Sequence, residues 1–292
     1  MPLSSISQRA LLEGRRPVSH WPQAAQQLVD QLIAERAPYI TETAAGRIFL
    51  ITVLRPLLSY KDAVFSVDAI ASMSGHDILR FGNRVLGIRH EIDGVSNIPK
   101  AGGCVIVANH PTGLADGLVI HHAVTQIRPD LHIMANADAL RIAPGLRDVI
   151  IPVEWVPEKR TTAKTRETLK RCYQALQSGR VVMAFPSGRI AYVTPSGLKE
   201  RPWMPAALTI AQRAGVPIVP ARITARNSTM FYVISQVHKE LRDITLFREL
   251  LNKRGKPASI DFGPPITLAD DQRPSGDVTQ AIQHYVETAG WR

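Results

Sequence analysis

Cysteine is scarce in this chain of 292 residues: there are two, Cys104 and Cys172. They stand far apart, and neither has a neighbour at metal-ligand spacing, so both read as reduced thiols and no disulfide framework is implied. Long apolar runs are missing too. The longest, Ile48 to Leu58, is broken by Arg55 and Pro56 and falls well short of the roughly 20 residues a membrane-crossing helix needs. The first twenty residues are polar and interrupted by Pro2 and Pro17, unlike a secretory leader. A cytoplasmic location is the resulting expectation. Aromatic residues make up only 6%, and without a zinc-finger spacing or an aromatic RNA-binding motif the expected partners include no nucleic acid. No His-x3-His or Cys-x2-Cys pattern suggests a metal, so none is expected.

Acidic residues are the minority charge. Against 25 of them stand 35 lysines and arginines, a formal net charge of +10. Such an excess suits an anionic partner: a phosphorylated substrate, an acidic carrier protein or an anionic membrane surface. Hydrophobic residues at 45% and charged residues at 21% are ordinary for a globular protein.

The chain changes texture along its length. From Trp21 to Leu58 apolar residues recur at helical spacing, with Ala25, Leu28, Val29, Leu32 and Ile33 on one face. A second helical stretch covers Asp68–Leu86. From Ile88 onward short apolar runs alternate with amphipathic segments, the pattern of an α/β domain. Strands are expected at Gly87–Ile92, Cys104–Ala108, Leu131–Ala135, Val149–Val153, Val181–Phe185, Ile218–Ala221, Phe231–Ile234 and Ser259–Phe262. Helices are expected at Gly117–Thr125, Thr161–Ser178, Pro205–Ala214, Ile244–Lys253 and Ser275–Thr288. The expected architecture is α/β, a mixed β-sheet flanked by helices, with a helical N-terminal extension over residues 1–80 and an α/β domain over 81–292. The extension carries Arg47, Arg55 and Lys61 among apolar residues, which allows contact with an anionic membrane or plain packing against the core.

The stretch Val107-Ala-Asn-His-Pro-Thr-Gly-Leu-Ala-Asp-Gly117 carries the strongest chemical signal. His110 and Asp116 follow an apolar strand, at the kind of mouth where α/β folds collect ligands. At about 100° per residue, six positions separate two side chains by about 120° on a regular helix. The pair can therefore meet only if the segment turns before it becomes helical, and Pro111 and Gly113 supply the breaks. A loop histidine beside a helix-capping aspartate is the plain alternative.

Three further segments follow in order: Ile150-Ile-Pro-Val-Glu154 leading into Glu158-Lys-Arg160, then Phe185-Pro-Ser-Gly-Arg189, then Val216-Pro-Ile-Val-Pro220. With the His110 motif they resemble the glycerolipid acyltransferase family over about residues 88–225. That family pairs an Asn-His-x4-Asp motif with a basic residue after a strand, Phe-Pro-Glu-Gly, and a Val-Pro-x-x-Pro strand. Two departures stand out. His110 and Asp116 are separated by five residues rather than four, a mark of related branches. Ser187 occupies the place of the family's glutamate, which helps to hold the acceptor.

The resemblance implies transfer of a fatty acyl group from acyl-CoA or an acidic acyl-carrier protein, used as substrates rather than cofactors, to a hydroxyl of a glycerol-phosphate or lysophospholipid-type lipid acceptor. Its membrane-borne substrates imply a peripheral place on the cytoplasmic membrane face. Ser187 widens the acceptor to a lyso-aminolipid or an amine. A non-catalytic lipid- or carrier-binding protein is the alternative of a different class. Residue types support the chemistry. An alcohol needs a nearby base near neutral pH, and histidine has a suitable intrinsic pKa. Asp116 would fix its tautomer. Asn109, Gly113, Arg160, Ser187, Gly188, Arg189, Pro217 and Pro220 are the expected substrate-binding residues. Backbone N–H groups around Gly113 or Gly188 are expected to meet the developing oxyanion, and Arg160 and Arg189 to meet phosphate. Ser187 could also be read as a nucleophile, but its surroundings lack the Gly-x-Ser-x-Gly elbow.

Overall fold

The computed structural model describes residue 8, residues 11–12, 21–154, 157–268, 273 and 275–292. Pro2 and Pro17 therefore lie outside the described residues. Seven strands form one sheet: β1 (Arg89–Asp93), β2 (Cys104–Ala108), β3 (Leu131–Asn136), β4 (Ile150–Val153), β5 (Val181–Ala184), β8 (Ile218–Thr224) and β9 (Pro257–Phe262). A small antiparallel hairpin, β6 (Tyr192–Thr194) and β7 (Gly197–Lys199), stands apart. The sheet order is β1-β9-β8-β2-β5-β3-β4. Every neighbouring pair is parallel except β8 and β9, so the sheet is mixed.

Burial of all five residues of β2 and all four of β5 follows from helices on both faces of a parallel sheet. Cys104, Ile106 and Ala108 point into one apolar layer, with Leu118, Val119, Ile120 and Ala123 of α4 (Leu114–Val124). Val105 and Val107 point into the other. There they meet α5 (Thr162–Gln177), α6 (Ala206–Ala214) and α9 (Ser275–Thr288). This alternation is the period-2 rule of a strand applied to a run with no polar face. Both cysteines are buried free thiols, on opposite sides of the sheet.

Before β1 the described chain is helical: α1 (Gln23–Arg36), α2 (Tyr60–Ile70) and α3 (Gly75–Leu86), with short helical turns from Pro38 to Leu57 between α1 and α2. The turns include a π-helical stretch, Leu50–Leu54. Their inner residues Leu50, Leu54 and Leu58 pack on Ile244 of α8 (Lys239–Leu251). Their outer residues Ile48, Phe49, Ile51, Val53 and Leu57 face solvent.

One expected strand is not one. Phe231–Ile234 lies within a helix, α7 (Thr229–Val237), whose N-cap Ser228 accepts the Phe231 N–H at 3.2 Å. A short apolar run does not distinguish strand from helix by its periodicity. Phe231 and Tyr232 are buried while Val233 and Val237 are exposed, the one-sided burial of a surface helix. Helix α4 also begins earlier than Gly117, at Leu114. That shift places Asp116 in its first turn.

Candidate active site

The chain leaves β2 at Ala108 and makes a loop before α4. Asn109 braces the start of this loop. Its Nδ2 donates to the Ile223 carbonyl at 2.8 Å, and its Oδ1 accepts the Ile223 N–H at 2.7 Å. Ile223 belongs to β8, the strand beside β2. Asn109, expected to touch substrate, is thus engaged with backbone.

Gly113 is the N-cap of α4 at φ +88, ψ −117, a conformation essentially reserved for glycine. The bend brings the fully buried Asp116 carboxylate back over the loop. Its Oδ2 accepts the N–H groups of Thr112 and Gly113, each at 2.9 Å, and its Oδ1 accepts the Thr112 hydroxyl. That Oδ2 also lies 2.9 Å from Nδ1 of His110. Nδ1 is at ion-pair distance rather than in an aligned hydrogen bond. Asp116 thus caps α4 and at the same time lies against the His110 ring.

Three further contacts hold His110. Its ring stacks on Phe185 with centroids 4.1 Å apart and planes 25° apart. Its carbonyl accepts the Ala191 N–H at 2.9 Å. Its own N–H donates to Oε1 of Glu200 at 2.9 Å. With Nδ1 turned to Asp116, Nε2 is the ring nitrogen left for chemistry, on a side chain that keeps 19% exposure.

Ser187 and Gly188 lie in the turn after β5. The Gly188 N–H donates to the Phe185 carbonyl at 2.9 Å, and the Ser187 hydroxyl to the Arg189 carbonyl, also at 2.9 Å. The oxyanion expectation therefore needs correction for these two glycines. The N–H of Gly113 is committed to Asp116 and that of Gly188 to Phe185, so neither is free to meet an oxyanion in this conformation. Arg189 is exposed beside the turn. Arg160, also exposed, donates through Nε to the Glu154 carbonyl at 3.4 Å, and the nearby Lys164 pairs with the Glu154 carboxylate at 2.9 Å.

The two prolines separate. Pro220 is buried within β8 opposite Val107. Pro217 lies just before β8 begins, where its carbonyl accepts the Val105 N–H. By the β2–β8 register it is level with Cys104, four residues before Ala108 and roughly 13 Å along the strand, so the fold does not bring it to His110. A cleft of about 340 Å³ lined by His132, Arg147, Arg171 and Arg180 also lies at the amino ends of the strands, away from His110.

Three contributors were not singled out from the sequence. Glu200 follows the β6–β7 hairpin and reaches His110 across 90 positions. Asn227 donates through Nδ2 to the Thr112 carbonyl at 3.3 Å and accepts from the buried Lys253 ammonium at 2.7 Å. Phe185, quoted only as part of a motif, supplies the surface on which the histidine rests.

Residues 89–224 match the family model described as "Acyltransferase". A protein of Phocaeicola vulgatus named lyso-glycine lipid O-acyltransferase is 24% identical over 225 residues, 75% of this chain and 78% of that one. A protein of the same name from Bacteroides thetaiotaomicron is 23% identical over 248 residues, 82% and 87% of the two chains. Among solved structures, the 1-acyl-sn-glycerophosphate (LPA) acyltransferase PlsC of Thermotoga maritima aligns with a TM-score of 0.49 and 17% identity, covering 89% of this chain and 94% of that one.

Proposed function

For this chain, a member of the glycerolipid acyltransferase family and an enzyme that acts on lipid acceptors, we propose that His110 is the general base for transfer of a fatty acyl group from a thioester, acyl-CoA or acyl-carrier protein, to an acceptor hydroxyl. The carrying observation is the approach of His110 Nδ1 to the buried Asp116 carboxylate at 2.9 Å. Asp116 keeps the proton on Nδ1 and stabilises the imidazolium, which leaves Nε2 basic. Nε2 takes the acceptor's hydroxyl proton as its oxygen attacks the thioester carbonyl carbon. Collapse of the tetrahedral intermediate breaks the C–S bond, and the departing thiolate takes the proton from Nε2. The products are an ester and a free thiol.

The Ser187 Oγ lies 2.9 Å from the Arg189 carbonyl oxygen, and its turn lacks the Gly-x-Ser-x-Gly elbow, which favours direct transfer over an acyl-serine. The acceptor is a lysolipid. A glycerol-phosphate or lysophospholipid remains the family's general pattern. A lyso-aminolipid is favoured here by Ser187 in place of a carboxylate and by the names of the two relatives. The lipid is reached from a membrane surface. Exposed Ile48, Phe49, Ile51 and Leu57, with exposed Arg47 among the same helical turns and exposed Lys61 at the start of α2, support that contact. Among the described residues no helix is long and apolar enough to cross a membrane.

The test is acyl transfer by purified protein with labelled acyl-CoA and acyl-carrier protein against lysophosphatidate, glycerol phosphate and lyso-aminolipids. Label in one lipid product, lost in His110→Ala, supports the reading. Thioester binding without product in any combination points to the binding-protein alternative.

A further inference from the structure

Glu200 is a second carboxyl group at the site, and the mechanism above does not use it. It follows β7 directly and is about nine-tenths buried. Oε1 accepts the backbone N–H of His110 at 2.9 Å, while Oε2 is buried without a hydrogen-bond partner. The Ser187 hydroxyl lies beside the carboxyl. Glu200 thus touches both the backbone that carries the base and the turn that follows β5.

An ionised carboxylate with one bare oxygen is expensive in such a place. Burial, the largest influence, pushes the Glu200 carboxyl upward, and the buried Asp116 carboxylate pushes it in the same direction. The His110 N–H, the Ser187 hydroxyl and the charge of His110 oppose this. What the location offers is an acceptor of fixed length anchored in the hairpin, aimed at one N–H group.

We propose that Glu200 is a positioning residue that holds the His110 backbone through its Oε1 acceptor, and that this bond rather than a negative charge is what the reaction needs. Without the bond the loop from Asn109 to Thr112 has one fewer restraint, and the imidazole loses its register against Asp116 and Phe185. A misplaced base slows the chemical step without weakening substrate binding. This inference rests on His110 as base, and His110→Ala tests that premise separately.

The experiment compares E200Q, E200D and E200A in steady-state acyl transfer, with thermal melting as a control. Glutamine keeps the acceptor at the same reach and has no charge. Expected is E200Q within about threefold of wild type, with kcat falling about tenfold or more in E200D and E200A at nearly unchanged KM, since small misplacements of reacting groups cost up to roughly a hundredfold. E200D and E200Q provide the comparison should E200A fail to fold. Equal loss in E200Q and E200D with all melting points retained would overturn the proposal in favour of a required charge. Wild-type rates in both E200D and E200A would show that His110 needs no such support. A loss confined to KM would place Glu200 in substrate binding instead.

Discussion

The side chain of Asn109 and the backbone of Ile223 are joined by two hydrogen bonds, 2.8 Å and 2.7 Å long. The amide completes pairing between the ends of β2 and β8 where the regular ladder stops at Ala108–Ala221. Asn109→Ala removes both partners from a half-buried position, at a cost of about 1–3 kcal/mol. Denaturant unfolding should show that loss, and transfer should fall because the next residue is the proposed base. Unchanged stability would mean the bracing is redundant.

Asp116 is more than a partner for the imidazole. Asp116→Asn replaces one acceptor oxygen by an NH2 group, so the remaining oxygen can serve either the Thr112 and Gly113 N–H groups or the Thr112 hydroxyl, but not both sets. Both the cap and the tautomer control are weakened. His110→Ala should reduce transfer by roughly 10²–10⁴-fold, the usual range for a lost general base. Asp116→Asn should lower kcat as well and reduce the melting temperature. If Asp116→Asn loses stability yet keeps its kcat, Asp116 is only a cap.

Gly113 sits where an L side chain is strained. A Cβ there would also stand 2.7 Å from Cδ1 of Ile190. The isoleucine terminus can move, whereas the positive φ cannot be relieved without shifting the cap. Gly113→Ala should therefore destabilise the protein by about 1–3 kcal/mol and impair transfer. Gly117→Ala, with open space around its Cβ, is the control and should be neutral or slightly stabilising. Calorimetry of the two variants separates strain from helix propensity.

Acid should unfold the protein partly through histidines outside the site. Burial lowers the pKa of His90 to about 4, and burial with the neighbouring His76 lowers that of His121 to about 4. Both are folded in the neutral form, so between their ordinary pKa of about 6.5 and 4 the unfolded chain binds more protons. Their contribution is present above pH 6.5 and is lost as pH falls toward 4. Each adds a slope of at most about 1.4 kcal/mol per pH unit. Melting temperatures measured from pH 7.5 to 4.5 should decline, less steeply in His121→Gln if that variant folds. A flat profile in the wild type would refute the account.

The proposed membrane contact rests on apolar side chains that packing leaves uncovered. The double variant Phe49→Asp, Ile51→Asp should reduce co-sedimentation with anionic phosphatidylglycerol vesicles severalfold, through lost burial and added repulsion. Transfer to a soluble short-chain acceptor should be preserved. Equal vesicle binding by both proteins would put the membrane-facing surface elsewhere.

Much of this was legible in local sequence. Cys104–Ala108 is a strand buried on both faces because five consecutive apolar or small residues leave no polar face to expose. The meeting of His110 with Asp116 was readable because their spacing excludes a regular helix and Pro111 and Gly113 allow a turn. Phe231–Ile234 was misread because four apolar residues fit either period, and the deciding features, the Ser228 cap and the exposure of Val233 and Val237, depend on what lies next to them. Which N–H groups around Gly113 and Gly188 are engaged was not legible for a related reason. A composition of loop glycines says that N–H groups are accessible in principle, but only folded coordinates show them committed to Asp116 and Phe185.

By itself the sequence determined the elements and the short-range geometry: the helix and strand periods, the glycine-dependent turn, and a histidine six residues from its carboxylate. These depend on neighbours a few bonds apart. Tertiary structure decided the surroundings of that histidine. Because β2 lies between β5 and β8, the loop after it is met by Phe185, Glu200, Ile223 and Asn227, the last three some 90–115 positions away. Strand order brings such groups together, and no local spacing encodes it.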